Sequence, residues 1–182
     1  MSRAIPKAVL LVDGYNIIGS WPCLKKTRDS AGLEAARYEL VEALTSYSAF
    51  EGYETQIVFD AQYQNTCSNK EVINQLLSVY YTDFNQTADT YIEKVCASLR
   101  TMVAQAHISR VIVATSDRAQ QLVVQGYGAE WRSAQQLCYD VQNTVCRVRQ
   151  KSQSTKQSKS RFLANNIDAK ARQRLAEMLQ GG

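Results

Sequence analysis

Ala8-Val9-Leu10-Leu11-Val12-Asp13-Gly14-Tyr15-Asn16 decides how the rest of this chain is read. Five apolar residues in a row, too few for a helix, form a strand buried on both faces, and an acid ends it. The pattern recurs. Gln56-Ile57-Val58-Phe59 stops at Asp60, and Val111-Ile112-Val113-Ala114-Thr115-Ser116 stops at Asp117. Asp89 opens a helical stretch soon after the short run Val79-Tyr80-Tyr81. Strands that share a direction present their carboxyl ends at one edge of an open α/β sheet, where ligands bind. Four acids at such an edge either repel one another or hold a divalent cation. Hard cations such as Mg²⁺ or Mn²⁺ take oxygen ligands and keep several waters, so the pattern points to a metal-dependent enzyme.

Helical periodicity fills the intervals between strands. Leu33, Ala36, Leu40, Ala43, Leu44 and Tyr47 recur at helical spacing, with Gly52 placed as a helix-ending glycine. Ala88, Ile92, Val95, Cys96, Leu99 and Val103 mark a long amphipathic helix. Ala119, Leu122 and Val123 mark a short one ending near Gly126, and Leu137, Val141, Val145 and Val148 another. Val72, Ile73, Leu76 and Leu77 suggest a short helix. Ala129 to Arg132 reads as a last strand, and the glycines and proline between Gly14 and Gly32 read as a loop. Alternating strands and helices predict an α/β domain, a mostly parallel sheet of about five strands between helical layers. The domain is expected over residues 1–150. Residues 151–182 are expected to be a basic appendage, with a polar linker at 152–160 and a final helix over 166–179.

Composition narrows the function. The 182 residues carry a net charge of +4. From Arg147 onward nine Lys and Arg face two acids, a net +7 that leaves −3 for residues 1–146. A near-neutral body with a basic tail suits a polyanionic partner. Five scattered cysteines without a C-x-x-C pair, and a single histidine, argue against a disulfide framework or structural zinc. They are expected reduced and partly buried. No apolar run reaches 18 residues, and the start lacks a signal peptide's apolar core. A protein of the cytoplasm, or of an organelle stroma, with no membrane partner is expected. Neither a G-x-x-x-x-G-K-[ST] phosphate loop nor a G-x-S-x-G nucleophile elbow occurs.

Each acid also has a local explanation. Asp13-Gly14 suits a strand-end turn. Asp89 suits the first turn of a helix capped by Thr87. Asp117 with Gln120 makes a weak capping box. These explanations do not account for acids at so many strand ends of one sheet. Nor do they need Glu93, which shares a helix face with Asp89 at a small repulsive cost that a cation reverses.

Four segments, in order, resemble the YacP-like branch of the NYN domain family, within the PIN-like nuclease superfamily. They are Asp13-Gly14-Tyr15-Asn16-Ile17-Ile18-Gly19, Val58-Phe59-Asp60-Ala61, Thr87-Ala88-Asp89 with Ile92-Glu93, and Ala114-Thr115-Ser116-Asp117. The resemblance covers about residues 8–150. It implies a three-layer PIN-like domain and a divalent-metal endoribonuclease using Mg²⁺ or Mn²⁺. Asp13, Asp89 and Asp117 match the family's acidic metal positions, with Asn16, Glu93, Asp60 and Ser116 in support. Gln86 stands where many relatives carry Glu. RNA is the implied substrate, and the ribosome an implied partner, since one family member cuts messenger RNA during translation. Arg118, Lys25, Lys26, Arg28, Arg147, Arg149 and Lys151 are the candidate RNA contacts, with Trp21 as a candidate stacking surface. The competing function is an RNA- or ribosome-binding module without catalysis, worked by the tail. A small-molecule phosphatase is disfavoured because it leaves the basic tail without a task.

Overall fold

In the computed structural model, residues 6–60, 69–103 and 110–150 are described, the side chains of 99–103 excepted. Lys151, the linker at 152–160 and the helix expected over 166–179 lie outside them. The chain divides into two compact units, Met1–Thr144 and Val145–Gly182, and the sheet lies in the first.

The elements in chain order are β1 (Ala8–Asp13), α1 (Gly14–Ser20), α2 (Pro22–Ala31), α3 (Leu33–Glu51), β2 (Tyr53–Phe59), β3 (Asn69–Val72), β4 (Leu77–Tyr81), α4 (Ala88–Val103), β5 (Val111–Ala114), α5 (Arg118–Gly126) and β6 (Glu130–Arg132). A last helix, α6, occupies 134–150. The six strands form one sheet in the order β3-β4-β2-β1-β5-β6. Every pairing is parallel except that of β3 with β4. β1 is central, and the chain builds outward from it in both directions. The gap between β1 and β5 is therefore the topological switch point, where the crevice of a doubly wound sheet opens.

All six residues of β1 are buried, as a central parallel strand requires. Its pleat divides them between two cores. Ala8, Leu10 and Val12 pack with Ile17, Leu24, Leu40, Leu44, Phe59 and Leu137 on one face. Val9 and Leu11 pack with Val58, Ile92, Cys96, Val113 and Val124 on the other. α4 and α5 thus cover one face and α1–α3 with the start of α6 the other, the three layers expected. Asp13 shares the parity of Val9 and Leu11, so the alternation turns it toward the α4 side.

Three expectations change. The stretch from Gly14 to Gly32 is two helices rather than a loop. Asp13 caps the first of them, and Pro22 sits at the first position of the second, where its missing N–H costs nothing. Lys25, Lys26 and Arg28 therefore lie on α2. Second, Val72 to Leu77 is the turn of a hairpin, not a helix. Asn74 Oδ1 accepts from the N–H groups of Leu76 and Leu77 and closes the bend, an Asx turn that apolar spacing does not reveal. This adds the edge strand β3 and brings the sheet to six. Third, Leu122 and Val123 point outward on α5, while Gln120 and Val124 face in. The cysteines also depart from expectation, since Cys23 and Cys146 are exposed.

Gly52 ends α3 in the left-handed region (φ 72°) with its N–H on Ser48 O, as the sequence predicts. Gly14 has a different reason to be glycine. Its φ is ordinary, but a Cβ there would fall inside the van der Waals surface of the fully buried Phe59 ring. Phe59 is in turn held by Tyr15 (centroids 5.0 Å) and Tyr81 (5.7 Å). Gly14→Ala should cost about 1–3 kcal/mol by overpacking, read as a lower urea midpoint at unchanged slope. Combined with Phe59→Leu it should lose less than the two single losses together, because removing the ring leaves room for the added methyl.

Candidate active site

Asp13 is the last residue of β1 and the N-cap of α1. Its Oδ1 accepts from the Asn16 N–H at 3.1 Å. Asp117 follows β5 and caps α5, with Oδ1 accepting from Ala119 N at 2.7 Å and from Gln120 N. Asp60 follows β2, and its Oδ1 accepts from Ala88 N at the start of α4. Asp89 is the next residue, in the first turn of α4. Three acids therefore spend one oxygen on a helix start. The cap fixes each carboxylate and the helix dipole favours its charge.

The four acids share one edge and act on one another. Burial raises the pKa of Asp13 from 3.8 to about 7. The Asn16 N–H opposes the rise, and the charges of Asp89, Asp60 and Asp117 add to it. Asp89 is also raised, first by burial and then by Asp117, Asp60 and Glu93. No Lys or Arg stands among the groups acting most on either acid. This is a concentration of hard oxygen donors in need of positive charge.

The supporting residues lie here too. Asn16 Oδ1 accepts from Ser116 N at 2.7 Å, joining the turn after β1 to the turn after β5 across the switch point. Ser20 Oγ lies 3.5 Å from Ser116 Oγ. Asn16 thus reaches Asp13 through its backbone N–H, and its side chain holds the neighbouring loop. Glu93 is half-buried one turn along α4 from Asp89.

The candidate RNA contacts are less gathered. Arg118 is exposed beside Asp117 at the start of α5. Lys25 and Lys26 are exposed on α2, where Arg28 is paired with Asp29 at 2.8 Å. Arg147 and Arg149 are exposed on α6. Trp21 is no stacking surface. It is buried, and its indole Nε1 donates to Ala134 O at 2.8 Å, the usual fate of a core tryptophan. Sequence reasoning also missed Gln120, which it read as a capping residue. Its side-chain amide lies buried beside Asp89, and neither polar atom makes a hydrogen bond of normal geometry.

A groove of about 760 Å³ lies elsewhere, lined by Arg37, Tyr38 and Tyr81 with Glu34, Glu42 and Glu71. It contains none of the four acids, and its glutamates make it a poor seat for a polyanion.

The raised Asp13 has a consequence for stability. Between pH 4 and 7 the folded chain holds a proton there that the unfolded chain has lost, so stability falls as pH rises and levels off above 7. The penalty has an upper limit of about 4 kcal/mol. Asp13→Asn keeps a capping oxygen and removes the charge. In chelator, its melting temperature should exceed the parent's at pH 8, and the gap should close toward pH 4.

Comparison with known proteins gives the family. The YacP-like NYN domain model matches residues 10–180. The Bacillus subtilis (strain 168) protein described as uncharacterized protein YacP is 36% identical over 140 residues, 77% of this chain and 78% of that protein. The crystal structure of Rae1 (YacP) from Bacillus subtilis, in a tryptophan-to-leucine mutant form, superposes with a TM-score of 0.66. It is 33% identical and matches 80% of this chain and 81% of that one. A second Rae1 (YacP) crystal structure from Bacillus subtilis gives 0.63 at 30% identity, over 87% and 89%. Matched by the family model over most of its length and by a relative 36% identical over 77% of it, the chain belongs to the YacP-like NYN domain family.

Proposed function

We propose that this protein is a divalent-cation-dependent endoribonuclease that cleaves RNA phosphodiester bonds. One observation carries the reading: four carboxylates from four segments converge on the switch-point edge, and Asp13 is buried enough among them to be pushed up to about 7. Membership of a nuclease family supports it.

The residues suit a hard cation. As they stand, no three His, Cys, Asp or Glu side chains among the described residues form a ready cation-binding group. Mg²⁺ in phosphoryl chemistry needs no such cage, since one or two carboxylates, waters and substrate phosphates complete its shell. The available oxygens of Asp13, Asp89 and Asp117 are the donors proposed to hold it, with Asp60 and Glu93 near. When bound, the cation supplies charge neutralisation for water attack on the phosphodiester. The chain supplies positioning. Three helix caps hold three of the acids, and Asn16 locks the β1 and β5 turns together through Ser116. Arg118 offers an exposed guanidinium to a backbone phosphate. Lys25, Lys26, Arg28, Arg147, Arg149 and Lys151 are proposed to add affinity rather than chemistry, and messenger RNA on the ribosome is the proposed setting. No helix among the described residues is long and apolar enough to cross a membrane.

The test is cleavage of single-stranded RNA by the full chain with Mn²⁺, with and without ribosomes. Asp13→Asn and Asp117→Asn should each lower cleavage at least about 100-fold, because each removes a donor for the cation. Chelator should abolish it. RNA or ribosome binding without cleavage in either tube, unaltered by these substitutions, would establish the binding module instead.

A further inference from the structure

Gln120 occupies a costly position. It is the third residue of α5, and only 3% of its surface is exposed. Both Nε2 and Oε1 are buried, and neither makes a hydrogen bond of normal geometry. An amide buried without well-formed hydrogen bonds has lost its water for little return. Val124, one turn further along the same buried face, belongs to the core that holds Ile92 and Cys96. Leucine or methionine would fill such a place without that cost.

The location gives the amide a task. Its own backbone N–H points to Asp117 Oδ1 at 3.4 Å. Its side chain approaches the Asp89 carboxylate closely enough to lower that acid's pKa, short of a hydrogen bond of normal geometry. Gln120 therefore stands between the acid of α4 and the acid that caps α5. α4 is anchored on its other side, where Asp60 accepts from Ala88 N. An amide carries both polarities at one site: Nε2 donates to a carboxylate and Oε1 accepts from a water.

We propose that Gln120 is the positioning residue for Asp89, donating from Nε2 to its carboxylate while Oε1 accepts from a water at the acidic edge. This rests on the reading of that edge as the reaction centre. Held in this way, the Asp89 carboxylate would be oriented toward a cation at the edge, and burial of the Gln120 amide would serve that orientation rather than the packing of α5. Such supporting partners typically contribute 10–100-fold in metal affinity.

The experiment is calorimetric titration of Mn²⁺ into the parent, Gln120→Leu and Gln120→Met, with melting temperatures taken in chelator. Mg²⁺ is then titrated into ¹⁵N-labelled parent while the Gln120 side-chain NH₂ signals are followed. The expected result is about tenfold or more weaker Mn²⁺ binding in both variants, with melting temperatures equal to or above the parent's. The NH₂ pair should shift on adding Mg²⁺ and stay still in Asp89→Asn. Undiminished Mn²⁺ affinity in the variants, or a still NH₂ pair while the Asp89 and Asp117 backbone amides move, overturns the positioning role alone. A fall in both melting temperatures in chelator also overturns it, since the amide would then serve the fold. If the parent binds neither ion, the cation reading of the whole edge falls with it.

Discussion

A carboxylate at the end of a strand buried on both faces is the constraint from which the rest follows. β1 is the central strand, so its last residue cannot reach solvent sideways, and Asp13 inherits the desolvation of the strand that carries it. A charge so placed is stabilised by hydrogen bonds, by an opposite charge, or by taking up a proton. The fold supplies one hydrogen bond, from Asn16 N–H, and then worsens the problem by bringing Asp60, Asp89 and Asp117 to the same edge. Other placements of these acids would cost less. The stress is concentrated where a doubly wound sheet opens its crevice.

The surrounding architecture keeps that stress from dispersing. α1 begins directly at Asp13, which Gly14 permits by letting the Phe59 ring pass where a Cβ would stand. Asp60 is tied to the start of α4 and Asp117 to the start of α5. These acids cannot swing outward to separate their charges without giving up caps worth about 1 kcal/mol each. Asn16 closes the remaining freedom by joining the β1 and β5 turns. The arrangement is rigid in its backbone and unfavourable in its electrostatics, the combination expected where binding of a ligand relieves a cost carried by the free protein.

Much of this was legible in the sequence because it depends on period and position. Uninterrupted apolar runs marked the strands, and acids immediately after them marked the edge. Legibility failed where local hydrogen bonding overrides pattern. Gly14, Gly19, Pro22 and Gly32 suggest a loop, yet an Asp N-cap and a Pro at the first helical position turn the same residues into two short helices. The apolar spacing of Val72 to Leu77 suggests a helix, yet a single asparagine closes a hairpin there. Gln120 was misread for a related reason. A glutamine three residues after a cap is a good local fit, and only packing shows that its side chain points into the interior instead.

The charges of the chain and its proposed substrate bear on each other. Residues 1–146 sum to −3, and the acidic edge concentrates negative charge where an RNA backbone would have to approach. Two polyanionic surfaces do not meet unaided. The proposed cation at the edge would remove the conflict twice, relieving the acids of each other and giving the phosphate something to bind. The +7 segment after residue 146 cannot do the first of these. Charge in solvent is screened over a Debye length of about 8 Å in physiological salt, and it adds affinity without neutralising a desolvated group such as Asp13. Affinity and chemistry therefore call for different positive charges: basic side chains for holding the strand, and an ion for the edge. Under the proposed function the carboxylates are poor RNA ligands in themselves, and what they would offer the substrate is a bound cation.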